Sequence, residues 1–129
     1  LENLRFKNDV IFTRRLTSHD LNKVIGSSNG LVYVSYFEGF GIPIIEAMKC
    51  EVPVVTSNVT CMPEIAGNAA ILVDPFSVNS ISKGMEELLD KEKYAKYIQL
   101  GKKRVLSFSW DNSAKIVWSC IEDVLAESN

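Results

Sequence analysis

Glu38 and Glu46 are the two acids of this sequence with the strongest claim to a functional role, because a glycine-rich turn and a helix start separate them. Gly39 and Gly41 permit backbone conformations that other residues avoid, and they let a ligand approach the main chain. Pro43 suits the first position of a helix, whose unpaired N–H groups and dipole attract anions. A diphosphate fits there, and the carboxylates would accept hydrogen bonds from sugar and ribose hydroxyls. The pattern therefore predicts a site for a nucleotide sugar.

A strand must precede this turn if the helix is to begin at the edge of a sheet. Residues 31–34 form a continuous apolar run bounded by turn residues, which is typical of a strand covered on both faces. Further apolar runs predict strands at residues 10–12, 53–56 and 70–73. Four strands that alternate with helices predict an α/β fold, a Rossmann-like parallel sheet with helices on both faces.

Helical periodicity and capping residues predict the remaining elements. Helices are expected over residues 19–27, from 42 or 43, through 81–89, over 92–106 and over 110–126, with a short helical turn at 64–66. Their N-caps would be Thr17 or Ser18, Ser77 or Asn79, and Ser109. Two apolar stripes are expected to be buried, one formed by Ile81, Met85, Leu88 and Leu89 and the other by Ala114, Val117, Ile121, Val124 and Leu125.

The composition is that of an ordinary globular chain of one domain. It has 129 residues, and 14 Lys and Arg face 16 Asp and Glu, so the formal net charge of −2 argues against nucleic-acid binding. No apolar run approaches the roughly 20 residues that cross a bilayer, and the first residues do not resemble a signal peptide. The absence of an initiating Met fits a piece of a longer protein.

The cysteines and the histidine show no spacing that predicts a metal site. Cys50, Cys61 and Cys120 match neither a disulfide framework nor a zinc pattern, so buried free thiols in a reducing cytoplasm are expected. His19 has no nucleophile or ligand at a recognisable spacing, which favours a solvated surface position over a catalytic role. The sequence therefore predicts no metal.

Residues 38–48, which read EGFGIPIIEAM, resemble the signature of the retaining glycosyltransferases of the GT-B fold. This family includes sucrose synthase and bacterial mannosyltransferases, and its two signature glutamates are separated by seven residues. The resemblance continues at residues 52–58, 62–67, 72–75 and 108–110, so it covers most of the chain. One departure is Glu51, which stands at a helix end where the family usually has Gly. A left-handed conformation there would cost about 1 kcal/mol relative to Gly.

The resemblance implies a role for each matching residue. Glu38 would be the catalytic residue, whose carboxylate contacts the donor hexose hydroxyls near the reacting carbon, and Glu46 would hydrogen-bond the ribose hydroxyls. The loop after the first strand, including Arg15 and Leu16, would touch the nucleobase through its main chain. The sugar and the distal phosphate would be held by the backbone of Gly39, Phe40, Gly41 and Ile42.

The resemblance further implies that residues 1–129 are a partial nucleotide-sugar (donor) binding domain, the truncated C-terminal half of a GT-B fold. The N-terminal acceptor domain, the first two strands of this domain and an upstream Arg and Lys pair would be absent. The intact protein would transfer a hexose from a nucleoside diphosphate sugar, with retention of configuration, to an acceptor saccharide or lipid-linked sugar. No cofactor and no metal are expected.

Several expectations follow for the chain by itself. It should be inactive, and the missing strands should leave a sheet edge exposed. Either residues 10–12 pair with the strand at 31–34, or a second copy of the chain covers the edge by self-association. The intact protein would be cytoplasmic and could lie peripherally on the membrane.

Two other functions and one ambiguous residue stay open. A nucleotide-sugar epimerase shares the overall fold, although the spacing of Glu38 and Glu46 argues against it. A non-catalytic sugar-nucleotide-binding module would keep the site without transferring sugar. Glu64 either lies beside the donor or is an acid favoured by the dipole of the helix that it begins.

Overall fold

The computed structural model describes residues 5–127, so the four residues in which no signal peptide was recognised lie outside the described residues. Its centre is a parallel sheet of three strands in the order β1 (Leu31–Tyr33), β2 (Val54–Ser57) and β3 (Ile71–Val73). Leu31 is paired with Val54 and Val55 with Ile71. Three of the four predicted strands are therefore confirmed, with ends that differ by one residue.

Residues 5–127 also form six α-helices, after a short 3-10 helix at Lys7–Asp9. They are α1 (Ser18–Gly26), α2 (Ile42–Lys49), α3 (Met62–Ala66), α4 (Val78–Glu87), α5 (Lys91–Val105) and α6 (Trp110–Glu127). The side chains of Thr17 and Ser77 accept hydrogen bonds from backbone N–H groups in the first turns of α1 and α4. Ser109 accepts one at the start of α6. These hydroxyls settle the two caps for which the sequence allowed alternatives.

Alternating side chains of β2 divide the core into two layers. Val54 lies in a cluster with Ile44 and Met48 of α2 and the buried residues of α3. Val55 lies on the opposite face, where it packs with β3 and with Ile81 of α4. This alternation follows from the two-residue period of a strand. The predicted parallel sheet with helices on both faces is confirmed.

The strand predicted at residues 10–12 is wrong. These residues follow the 3-10 helix without joining the sheet, and Ile11 and Phe12 are 84% and 70% exposed. The proposed pairing with residues 31–34 is also wrong, since within residues 5–127 only β2 is paired with β1. An apolar run with β propensity becomes a strand only when a neighbouring strand supplies hydrogen-bond partners.

The predicted buried face of the last helix is also wrong. Every described residue of α6 is exposed, including the apolar residues at helical spacing. The amphipathic pattern correctly predicted a helix, but burial requires another surface in contact with it.

The stripe predicted for α4 is only partly buried. Ile81 and Leu88 pack against the core, whereas Met85 and Leu89 are exposed. Gly84 makes the closest approach to the sheet, and a Cβ added there would lie 2.5 Å from Cγ1 of Val73. The helix backbone therefore occupies the space that larger residues of the stripe were expected to fill.

Two smaller expectations have different outcomes. Glu51 does adopt a left-handed conformation, with φ of 59°, and its carboxylate lies 2.8 Å from Nζ of Lys102. The cysteines are not the buried thiols that were expected, because Cys50 and Cys61 are half-buried and Cys120 is exposed on α6.

Candidate functional site

Glu38 lies in the loop that joins the carboxyl end of β1 to α2, and its side chain is half-buried. Two hydroxyl groups donate hydrogen bonds to the same carboxylate oxygen. The Oη atom of Tyr33 lies 2.5 Å from Oε1 of Glu38, and Oγ of Ser35 lies 3.0 Å from it. The carboxylate is therefore held by hydrogen bonds through one of its two oxygens.

Side chains of β2 hold the backbone at the end of β1 and at the beginning of this loop. The hydroxyl of Thr56 donates to the carbonyl of Tyr33 at 2.8 Å, and that of Ser57 donates to the carbonyl of Ser35 at 2.8 Å. Both hydroxyl residues belong to β2 and are completely buried. They tie the loop to the centre of the sheet, because leaving a buried hydroxyl unpaired would be costly.

The environment of Tyr33 raises the pKa of its phenol above the ordinary value. Burial is the largest cause, and the hydrogen bond to Glu38 is the next, since a phenolate beside that carboxylate would be repelled. The phenol is consequently protonated at neutral pH and available as a donor. Sequence reasoning missed Tyr33 and Ser35, although hydroxyl side chains five and three residues before an acid were a usable signal.

Gly41 sets the direction in which the chain enters α2. It is the N-cap residue, with φ of 95° and ψ of 45°, and Pro43 lies in the first turn of the helix. A Cβ on Gly41 would lie 3.2 Å from Cδ1 of Ile44 and 3.2 Å from Sδ of Met62. The left-handed conformation and the close packing both favour glycine. The predicted helix start at residue 42 or 43 is confirmed at Ile42.

The residues on either side of Gly41 are open to solvent at the leading end of α2, although Gly41 itself is buried. Phe40 is 47% exposed and Ile42 is 54% exposed, and a Cβ added to Gly39 would meet no atom within 4 Å. Glu46 follows in the same helix and is half-buried. A ligand could therefore reach the first turn of the helix, where backbone N–H groups lack partners within the helix.

The other side of this region is braced by α5 and the segment after it. The ring of Phe40 packs edge-to-face on Phe108 with centroids 6.1 Å apart. The guanidinium of Arg104 lies 4.9 Å from the centroid of Phe108 and donates to the carbonyls of Glu64 and Ile65. Arg104 thus connects α5 to α3.

Comparisons with known proteins show the family of this chain. Residues 1–104 match the family model described as glycosyl transferases group 1. The chain belongs to this family. The resemblance drawn from residues 38–48 is thereby confirmed.

Relatives of this group 1 glycosyltransferase chain include bacterial proteins named as O-antigen chain mannosyltransferases. It is 40% identical to O-antigen chain mannosyltransferase B of Escherichia coli over 94 residues, which cover 72% of this chain and 25% of that protein. It is 37% identical to O-antigen chain mannosyltransferase RfbU of Salmonella typhimurium over 90 residues, 67% of this chain and 26% of that protein. The chain thus spans about a quarter of the length of these relatives.

A solved structure confirms the fold class. The sucrose-phosphate synthase of Thermosynechococcus elongatus superposes with a TM-score of 0.78 at 26% identity, over 93% of this chain and 31% of that one. The Rossmann-like α/β architecture of the GT-B glycosyltransferases is therefore that of this chain.

The predicted site residues of this glycosyltransferase chain lie in two separate segments. Glu38, Glu46 and residues 39–42 lie together on one loop and the helix that follows it. Arg15 and Leu16 lie just before α1, where Arg15 is exposed and Leu16 is half-buried. The predicted contact of Arg15 and Leu16 with the nucleobase stays a prediction.

The role of Glu64 and the expected absence of a metal ion stay predictions. The side chain of Glu64 is exposed in the first turn of α3, which suits an acid favoured by the helix dipole without excluding a ligand. In the described part of the chain, no three His, Cys, Asp or Glu side chains are grouped to hold a metal ion.

None of the helices within residues 5–127 has both the length and the apolar character needed to cross a bilayer.

Proposed function

We propose that this chain is part of the donor-binding domain of a retaining glycosyltransferase, which transfers a hexose from a nucleoside diphosphate sugar to an acceptor. The observation that carries the proposal is the junction between β1 and α2. Only three residues separate Glu38 from the first residue of an exposed helix start. A carboxylate thus lies next to a helix start that can bind anions. A nucleotide sugar likewise has sugar hydroxyls next to its phosphates, so one ligand could contact both.

Each residue of the junction has a role in this proposal. Glu38 accepts hydrogen bonds from hexose hydroxyls near the reacting carbon, and Glu46 accepts them from the ribose. The backbone of residues 39–42 holds the sugar and the distal phosphate. The segment with Arg15 and Leu16 contacts the nucleobase.

The proposed reaction exchanges one bond at the anomeric carbon. Its bond to the diphosphate oxygen breaks, and a bond to the acceptor hydroxyl oxygen forms on the same face of the sugar. The acceptor proton passes to the departing phosphate oxygen, so the reaction requires neither a metal nor another cofactor. The N–H groups and dipole of α2 stabilise the negative charge that develops on the leaving diphosphate.

The proposal places the acceptor site and further groups for the diphosphate outside these residues, in a longer cytoplasmic protein that lies peripherally on the membrane. The chain spans only about a quarter of the length of its mannosyltransferase relatives, which supports placing the acceptor site outside these residues. We accordingly expect the 129-residue chain alone to transfer no sugar.

The proposal is tested by thermal unfolding of the full-length protein that carries this chain, in the presence of UDP-, GDP- and ADP-sugars. Nucleotide sugars that carry mannose come first, because the bacterial relatives are named as mannosyltransferases. A donor at about 100 times its Kd should stabilise the folded protein by about 2.7 kcal/mol. Glu46→Ala should abolish that stabilisation, whereas Glu92→Ala, which changes an exposed acid in the first turn of α5, should preserve it.

The outcomes separate the candidate functions. If no nucleotide sugar changes the melting temperature, donor binding is refuted. If binding occurs but product analysis finds an isomerised nucleotide sugar, the protein is an epimerase. If binding occurs and sugar is neither transferred nor isomerised, the protein is a non-catalytic sugar-nucleotide-binding module.

A further inference from the structure

The two carboxylate oxygens of Glu38 differ in the hydrogen bonds that they accept from side chains of the protein. Both hydroxyl donors, those of Tyr33 and Ser35, use Oε1. A carboxylate has two oxygens with roughly four positions at which it can accept hydrogen bonds. Satisfying Oε1 twice from within the protein leaves Oε2 as the oxygen that can accept from a ligand.

The three residues of this arrangement lie close together in the chain. Tyr33 is the last residue of β1, and Ser35 lies two residues later in the loop. Glu38 follows three residues after Ser35. In the folded loop both hydroxyls reach the same oxygen of its carboxylate.

Three further hydrogen bonds hold the backbone carbonyls of these residues. The carbonyls of Tyr33 and Ser35 accept bonds from the buried hydroxyls of Thr56 and Ser57. The thiol of Cys61 donates to the carbonyl of Glu38 at 3.1 Å. Each residue of the trio is thus held through its main chain by another element as well as through its side chain.

We infer that Tyr33 and Ser35 are positioning residues, which occupy Oε1 of Glu38 so that Oε2 faces the donor hexose in one orientation. The inference rests on the proposed donor-binding role of Glu38. A glutamate on a loop has three rotatable side-chain bonds, and fixing them before the reaction avoids an entropic cost in the transition state. The raised pKa of Tyr33 is consistent with this role because it keeps the phenol proton in the hydrogen bond.

The test measures kcat and the donor KM in the full-length protein that carries this chain, with the nucleotide sugar that it uses. Tyr33→Phe and Ser35→Ala each remove one hydroxyl. Each should lower kcat about tenfold, because a misplaced group near the reacting atoms slows the chemical step. The donor KM should change less than twofold, because Glu46 and the start of α2 are unaltered.

Tyr36→Phe is the matched control, since it removes a phenol hydroxyl from the same loop. Tyr36 is exposed, and its ring stacks on Phe76 with centroids 4.9 Å apart, a contact that phenylalanine retains. This variant should keep the kcat of the wild type. Far-ultraviolet circular dichroism at the assay temperature confirms that all variants are folded, which separates a loss of positioning from a loss of structure.

A spectroscopic measurement tests the hydrogen bond without the reaction. The ultraviolet absorbance of the phenolate, obtained by subtracting the titration of Tyr33→Phe from that of the wild type, reports the pKa of Tyr33. Glu38→Gln should lower that pKa by removing the neighbouring charge.

The inference is overturned if the folded Tyr33→Phe and Ser35→Ala proteins keep kcat within twofold of the wild type, or if the pKa of Tyr33 is unchanged by Glu38→Gln. A rise in KM with no change in kcat would also overturn it, because the two residues would then serve donor binding only. A wild-type protein that transfers no sugar from any donor refutes the proposed function and this inference together.

Discussion

Gly41→Ala should destabilise the protein, because two separate features of the structure exclude a side chain at this position. The residue has φ of 95°, and a left-handed conformation costs a non-glycine residue about 1–2 kcal/mol. The new Cβ would also lie 3.2 Å from Cδ1 of Ile44 and from Sδ of Met62. Both neighbours are completely buried, so relieving the contact disturbs the core and adds about 1 kcal/mol.

Alanine also lowers the entropy of the unfolded chain, which returns about 0.4–1 kcal/mol of stability. The free energy of unfolding should therefore fall by about 1–3 kcal/mol. For a chain of 129 residues this corresponds to a fall in Tm of roughly 4–10 °C. Because Gly41 caps α2, we also expect weaker binding of a nucleotide sugar.

The assay is urea unfolding followed by circular dichroism. Tryptophan fluorescence suits it less, since both tryptophans lie exposed on α6. Gly39→Ala is the matched control, because a Cβ there has open space around it and φ is not positive. It should change the free energy of unfolding by less than about 0.5 kcal/mol. Equal unfolding midpoints for Gly41→Ala and Gly39→Ala would refute the strain argument.

Three further changes test the packing, a helix end and a titrating group. Gly84→Ala should lower the free energy of unfolding by about 1–3 kcal/mol, because its Cβ would lie 2.5 Å from Cγ1 of Val73. Glu51→Gly should raise it by up to about 1 kcal/mol, since relief of the left-handed conformation exceeds the value of an exposed ion pair with Lys102. The folded state raises the pKa of Tyr33, so the stability that this group contributes is complete below pH 10 and is lost as the pH rises through the folded pKa. Alkaline unfolding should consequently be less steep in Tyr33→Phe.

Controls distinguish these causes. Gly26→Ala should be nearly neutral by comparison with Gly84→Ala, because the nearest atom to its Cβ would be 3.9 Å away. In a Lys102→Ala background the gain from Glu51→Gly should increase slightly, and a net loss there would contradict the argument from φ. A Tyr33→Phe protein with the same steepness as the wild type above pH 10 would show that another group controls alkaline unfolding.

The parts of the fold predicted correctly depend on short-range chemistry. The helix start at Ile42 follows from Gly41 and Pro43, and Thr17 and Ser77 are caps because their hydroxyls reach N–H groups within the next turn. The three strands were recognisable as continuous apolar runs. The expectation that the strand at residues 31–34 is covered on both faces was wrong, because Val32 of β1 is 41% exposed and only β2 is buried along its whole length. The placement of Glu38 and Glu46 on one loop and the helix after it was predictable for the same reason, because the two residues lie within nine residues of chain. Their roles stay predictions.

The wrong predictions share a dependence on partners distant in the chain. Residues 10–12 have strand-forming side chains but no neighbouring strand, and α6 has an apolar stripe but no buried residue. The hydroxyls of Thr56 and Ser57 bond to a loop more than twenty residues earlier, which no local pattern could indicate.

Glycine and proline placement, capping hydroxyls and the periods of apolar residues determined the helices and three of the four predicted strands, because backbone preferences act over a few neighbouring residues. The resemblance of residues 38–48 to a known signature indicated the family. Only the tertiary structure decided which apolar surfaces are buried, where the helix of Gly84 touches the sheet, and which oxygen of Glu38 the protein occupies. Those outcomes require atoms from separate elements to meet at fixed distances, and that geometry exists only once the sheet and its helices have packed.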